Sequence, residues 1–124
     1  MPQGRLEHIN IRVSDPDRTA AFLAGLTGWR ERWRGPALDN GWTIHLGNEF
    51  DYVALYQHPE PLTGPFKKGA PLQHIGVVVN DLDAAERLVI AAGYKPFSHA
   101  DYEPGRRFYF YDHDGIEWEL ISYG

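Results

Sequence analysis

Two histidines, His8 and His74, stand at the same place in two similar stretches of this 124-residue chain. LEHINIRVSDPDRTAAFLAGLTGW begins at Leu6 and LQHIGVVVNDLDAAERLVIAAGY begins at Leu72, an offset of 66 residues. That register pairs Ile9 with Ile75, Ile11 with Val77, Val13 with Val79, Asp15 with Asp81 and Asp17 with Asp83. After a one-residue slip, Gly28 meets Gly93 and Trp29 meets Tyr94. Self-similarity at a fixed period marks a duplicated structural unit. An imidazole can ligate a metal, carry a proton or simply hydrogen-bond within a fold. Near the C-terminus stand Arg107, Tyr109 and Tyr111, then Glu117 and Glu119. Residues two apart on a strand share a face, so each group lies together. Cysteine is absent, so any metal would be held by nitrogen and oxygen.

The elements that must position these groups follow from periodicity. Ile9, Ile11 and Val13 alternate with His8, Asn10 and Arg12, and Ile75, Val77 and Val79 alternate with His74, Gly76 and Val78. Both histidines therefore leave the face opposite an aliphatic stripe. A helix is expected after each strand, capped by Asp15 and Asp81, with Pro16 at the first helical position. Ala21, Phe22, Leu23 and Leu26 are its apolar residues in the first copy, and Ala85, Leu88, Val89 and Ala92 in the second. Gly28 and Gly93 end the helices. Three strands are predicted after each: Trp29–Arg34, Trp42–Leu46 and Tyr52–Gln57, then Tyr94–His99, Arg107–Tyr111 and Ile116–Ser122. Asp39-Asn40-Gly41, Pro104-Gly105 and Asp114-Gly115 read as turns. The segmentation expected is one domain of two modules, 5–58 and 72–123, joined by a proline-rich surface linker at 59–71.

Composition limits the function. Hydrophobic residues make up 43% and aromatics 14%, enough for a packed core. The net charge of −5, with no basic run longer than two, argues against nucleic acid as a partner. No stretch approaches a membrane span, and MPQGRLEHIN carries no apolar signal core, so the cytoplasm is the expected compartment.

A βαβββ unit repeated twice, with His on the first strand of each copy and an ending of the type DxDGxxxEL, resembles the vicinal oxygen chelate superfamily. LEHINIRV, LQHIGVVVNDLD and RRFYFYDHDGIEWEL carry the resemblance, which runs from Leu6 to Ser122. The usual ending has Pro at His113 and Asn at Ile116, departures that leave the position of the glutamate unchanged. The fold it implies is α+β: two tandem βαβββ modules whose mixed sheets curl into a cup with helices outside. The superfamily includes glyoxalase I, fosfomycin-resistance transferases, methylmalonyl-CoA epimerase, extradiol dioxygenases and bleomycin-resistance proteins.

The resemblance implies metal ligands at His8, His74 and Glu119. The fourth family position falls on Ala54, or on Leu55 with a one-residue slip, and neither binds metal. Two imidazoles and a carboxylate leave about half of an octahedral ion open, suit Fe, Mn, Ni, Co or Zn, and do not choose among them. Tyr109 matches a Tyr that contacts the substrate phosphonate in the fosfomycin transferases. It could donate to a metal-bound oxyanion, with Arg107 pairing a carboxylate or phosphonate; the alternative is that Tyr109 only fills the cup and Arg107 sits at the rim in solvent. Glu117 could act as general base, its pKa raised by the neighbouring anion, though a carboxylate at a strand start is more often solvated. Asn10 and His45 could reach the pocket, while His58, His99 and His113 read as loop or strand-end residues, with His113, in place of a turn proline, expected in solvent. Trp42, Tyr52 and Tyr56 could wall the pocket or fill the core.

The function expected is a metal-dependent lyase, isomerase or oxygenase acting on a small molecule chelated through vicinal oxygens. The missing fourth ligand counts against glyoxalase I and the epimerase. The lack of an assured additional His and Tyr pair counts against an extradiol dioxygenase. Ending at Gly124, without further basic residues, counts against a fosfomycin transferase. The alternative is a non-catalytic, ligand-sequestering protein of the bleomycin-resistance type, for which the triad has no use. A homodimer is expected in either case.

Overall fold

The computed structural model describes residues 3–102 and 105–123, so Pro104 of the expected Pro104-Gly105 turn lies outside the described residues. Two compact units divide the chain, Met1–Leu62 and Thr63–Gly124, and each follows the same βαβββ plan.

In the first unit the elements are β1 (His8–Arg12), α1 (Pro16–Thr27), β2 (Arg30–Pro36), β3 (Trp42–Gly47) and β4 (Tyr52–Gln57). They form a sheet in the order β1-β4-β3-β2, with β1 parallel to β4 and the other pairs antiparallel. The Asp15 carboxylate accepts from the Arg18 amide at 3.2 Å and opens α1. Gly28, at φ +77°, closes it by donating its N–H to the Ala24 carbonyl at 2.9 Å, a left-handed position that favours glycine. The helix packs on β3 and β4. Its buried face is Pro16, Thr19, Ala20, Leu23 and Leu26, while Ala21 is exposed. Ile44, Leu46, Val53 and Leu55 are buried with them. Each fully buried aliphatic side chain stabilises the fold by about 2 kcal/mol.

The second unit repeats the plan as β5 (Ile75–Val78), α2 (Leu82–Ala91), β6 (Phe97–Tyr102), β7 (Gly105–Tyr111) and β8 (Glu117–Ser122). Its sheet runs β5-β8-β7-β6, with only the β5–β8 pair parallel. Asp81 caps α2 through the Ala84 amide, and the helix packs on β7 and β8 by Leu82, Ala85 and Val89. Leu88, expected on that face, is exposed. Phe108, Phe110, Trp118 and Leu120 complete the apolar layer.

Strand β6 begins three residues later than the predicted Tyr94. Pro96 lacks an N–H for a ladder, and Tyr94 turns its ring onto Phe110, with its hydroxyl 2.7 Å from His113 Nδ1. His113, expected in solvent, is therefore largely buried.

The two ends of the linker belong to different units. Arg12 donates to the Glu60 carbonyl in the first, and the Phe66 amide donates to the Asp114 carbonyl in the second.

Strand registers match across the repeat. Asn10 pairs Ala54, Ala54 pairs His45, and His45 pairs Trp33. In the second sheet Gly76 pairs Glu119, Glu119 pairs Tyr109, and Tyr109 pairs Phe97. Ala54, rather than Leu55, therefore stands where the second unit has Glu119, and His45 stands where it has Tyr109.

Candidate functional site

Strand alternation puts Arg107, Tyr109, Glu117 and Glu119 on the face of the second sheet away from α2, and His74 precedes β5 beside them. The structure joins these residues through a chain of close polar contacts. His74 Nε2 lies 3.1 Å from Glu119 Oε1, and His74 Nδ1 lies 3.3 Å from Glu117 Oε2. Arg107 Nη1 donates to the second oxygen of Glu119 at 3.2 Å. Lys68, from the linker, donates to Glu117 Oε1 at 2.5 Å and lies over the Tyr111 ring. That bond raises the lysine pKa above its ordinary value. The Tyr109 ring meets His74 edge-on at 5.6 Å and stacks on Phe97. Together they line an open cleft of about 420 Å³ that includes Lys68, His74, Arg107, Tyr109 and Glu117.

Two expectations change on this geometry. Glu117 is only 3% exposed and both its oxygens are engaged, so it is not a solvated strand residue. Arg107 is not a solvent-facing rim residue but is largely buried against Glu119. Lys68 was not singled out from sequence. The contact spans 49 residues, from a linker with no periodicity to reveal which way it folds back.

In the first unit, His8 Nδ1 lies 2.5 Å from Glu7 Oε1, and its ring stacks on Tyr52 at 4.9 Å. Tyr52 stacks in turn on His45 at 4.5 Å, and Trp33 tilts against His45 at 5.2 Å. Arg32 lies over the Tyr52 ring. Burial lowers the His45 pKa, and its neighbours His8 and Arg32 lower it further. Tyr52 is thus part of a ring stack, whereas Trp42 is substantially exposed. His58 accepts from the Glu60 amide, and His99 pairs with Glu86 at 3.0 Å.

The donor set can be tested against a divalent ion. Donors about 2.1 Å from one ion and at right angles stand about 3.0 Å apart. The 3.1 Å between His74 Nε2 and Glu119 Oε1 fits that spacing. A carboxylate at Nδ1 is what orients a ligating imidazole and leaves Nε2 toward the metal. Both histidines have one: Glu7 for His8 and Glu117 for His74. Among the described residues, no three His, Asp or Glu side chains form a ready ligand group. His74 and Glu119 belong to the second unit and His8 to the first.

Residues 5–120 match the profile of the Glyoxalase/Bleomycin resistance protein/Dioxygenase superfamily. The chain belongs to that superfamily. Among solved structures it is similar to a glyoxylase/bleomycin resistance protein/dioxygenase domain from Frankia sp. EAN1pec, at 21% identity, TM-score 0.83 and 98% of both chains. It is similar to the fosfomycin resistance protein FosX from Mesorhizobium loti at 26% identity and TM-score 0.72, over 100% of this chain and 94% of that one. A mutant of FosX from Listeria monocytogenes, complexed with Mn(II) and 1S,2S-dihydroxypropylphosphonic acid, matches at 21% identity and TM-score 0.75 over 100% and 94%. A search of the curated proteins finds no significant match. No helix among the described residues is long and apolar enough to cross a membrane.

Proposed function

We propose that this superfamily member is a divalent-metal-dependent enzyme acting on a small, anionic substrate that offers two neighbouring oxygens. His8, His74 and Glu119 are its metal ligands. The observation that carries this reading is the geometry of the second unit: His74 braced by Glu117 at Nδ1, with Nε2 and Glu119 at the spacing of adjacent ligands. The metal-bound complex of the Listeria protein supports it by analogy. A bound ion of this kind supplies Lewis acidity to the substrate oxygens.

The chain's own groups divide the remaining work. Arg107 holds Glu119 by one oxygen, so it acts first as a positioning residue. Glu117, with both oxygens committed, orients His74 rather than serving as the general base considered from sequence. Tyr109, beside His74 in the cleft, is the group to donate a hydrogen bond to an anionic substrate oxygen. Two carboxylates here face Lys68 and Arg107, so the cluster is near neutral before a divalent ion is added and cationic afterwards. That balance favours a phosphonate, carboxylate or enolate oxygen. The reaction class is a lyase, isomerase or oxygenase step. A cytoplasmic homodimer remains part of this proposal.

Manganese titrated calorimetrically into chelator-treated protein should bind near one equivalent. Glu119→Ala should remove that binding while circular dichroism shows an unchanged fold. Unchanged binding in the folded variant rules out this ligand set. Small-molecule binding that is indifferent to the ion throughout would favour the ligand-sequestering alternative.

A further inference from the structure

The segment that leads into the second unit is anchored to that unit at two points. The Phe66 amide donates to the Asp114 carbonyl at 2.8 Å, in the turn between β7 and β8. Gly115, at φ +82°, leaves room for this approach. A Cβ there would come within 2.8 Å of Pro65 Cβ and 3.0 Å of the Phe66 nitrogen. Further along, Gly69, also at φ +82°, donates its amide to the Leu72 carbonyl at 2.7 Å. Lys68 stands between the two anchors. Lys68 follows Phe66 by two residues and Glu117 follows Gly115 by two, and the two side chains meet at 2.5 Å.

One oxygen of the buried Glu117 carboxylate faces Lys68, and the other faces His74 Nδ1 at 3.3 Å. The terminal torsion of a glutamate is broad, so its partners, rather than its own rotamer, set the plane of the carboxylate. A single contact to His74 would leave that plane free to turn, and the ammonium at the opposite oxygen fixes it. Lys68 is held in turn over the Tyr111 ring, 5.9 Å from its centroid. With Nδ1 braced, His74 keeps Nε2 at 3.1 Å from Glu119 and its edge-on contact with Tyr109 at 5.6 Å. All of these residues lie within the second unit.

We propose that Lys68 is a positioning residue: it fixes the Glu117 carboxylate so that His74 presents Nε2 beside Glu119. The inference rests on the reading of His74 and Glu119 as metal ligands, and it adds the segment before β5 to what shapes them. The sign of the effect separates positioning from plain charge. Removing a positive charge beside a cation site strengthens cation binding, whereas removing a brace weakens it.

The test compares Lys68→Met, Lys68→Arg and Lys67→Met in the full chain, the last removing an exposed positive charge from the same segment. Calorimetric titration with manganese should show about tenfold weaker binding in Lys68→Met, most of it recovered in Lys68→Arg, and no change in Lys67→Met. In metal-free protein with a chelator present, the His74 ring protons report their place beside Tyr109 by NMR. Their signals should move in Lys68→Met and stay in the other two variants. If wild type takes up no manganese, the metal reading fails and the ring signals still decide this one. Should Lys68→Met unfold with Glu117 left without its counter-charge, Lys68→Met/Glu117→Gln removes both charges. That pair should match Glu117→Gln alone in manganese affinity and in ring signals. Unmoved His74 signals or equal or tighter manganese binding in folded Lys68→Met, an equal loss in Lys67→Met, or additive losses in the pair would each overturn the proposal.

Discussion

Replacing Asp112 should destabilise the turn that delivers Glu119, by an amount that follows from its partners. One carboxylate oxygen accepts from the amides of Asp114 and Ile116, at 2.9 and 3.0 Å. The other accepts from the Trp118 indole at 2.9 Å. In Asp112→Ala these buried donors lose their acceptor, at about 1–3 kcal/mol each, and relief of the buried charge offsets part of the loss. The net expected is about 3 kcal/mol, or about 10 °C in melting temperature. Asp112→Asn keeps the backbone acceptor but sets an amide against the indole N–H, so about 1.5 kcal/mol is expected at pH 7. Burial raises the Asp112 pKa, against the pull of the Trp118, Ile116 and Asp114 donors. A carboxyl with a raised folded pKa contributes stability that is fully present below the unfolded pKa and lost as pH rises through the folded value. The deficit of Asp112→Asn relative to wild type should therefore grow as pH falls from 7 toward 4. Urea unfolding of the three proteins at several pH values reads both effects. An alanine variant within about 0.5 kcal/mol of wild type would refute the hydrogen-bond argument. A deficit that shrinks on acidification would refute the assignment of burial as the dominant influence.

Glu117→Gln should keep the fold but lower manganese affinity about 10–100-fold, because His74 loses its anionic brace; competition against a fluorescent chelator measures this, and equal affinity would discard the orienting role. Gly28→Ala, at φ +77°, should cost about 1 kcal/mol in thermal unfolding, and no change would mean that the helix can end otherwise. Arg34 contacts Glu31 and Asp17 in solvent, so Arg34→Met should leave the melting temperature unaltered; a clear drop would show that these surface pairs act as a network.

The duplicated plan was readable because it is written in local signals. Alternating aliphatics, the Asp15 and Asp81 caps and Gly28 recur at matching offsets, and each acts within a few residues. Strand β4 falls on the predicted Tyr52–Gln57 for the same reason. Boundaries moved where a tertiary partner intervened, as with Tyr94, whose hydroxyl contacts His113 nineteen residues away. The helix faces shifted too: Thr19, Ala20 and Leu82 are buried, while Ala21 and Leu88 are exposed. At the site, the shared face of Glu117 and Glu119 was visible from their spacing. The burial of Glu117 was not, because it depends on Lys68 folding back from the linker. Glu7, the carboxylate on His8, went unread because neighbouring strand residues ordinarily point apart.

The most direct test is the metal content of protein purified without a metal-binding tag, measured by inductively coupled plasma mass spectrometry beside folded His74→Ala and Glu119→Ala variants. About one divalent ion per chain in the wild type, lost in both variants, is the predicted result. Wild-type protein that carries no ion, even after reconstitution with iron, manganese, nickel, cobalt or zinc, would contradict it.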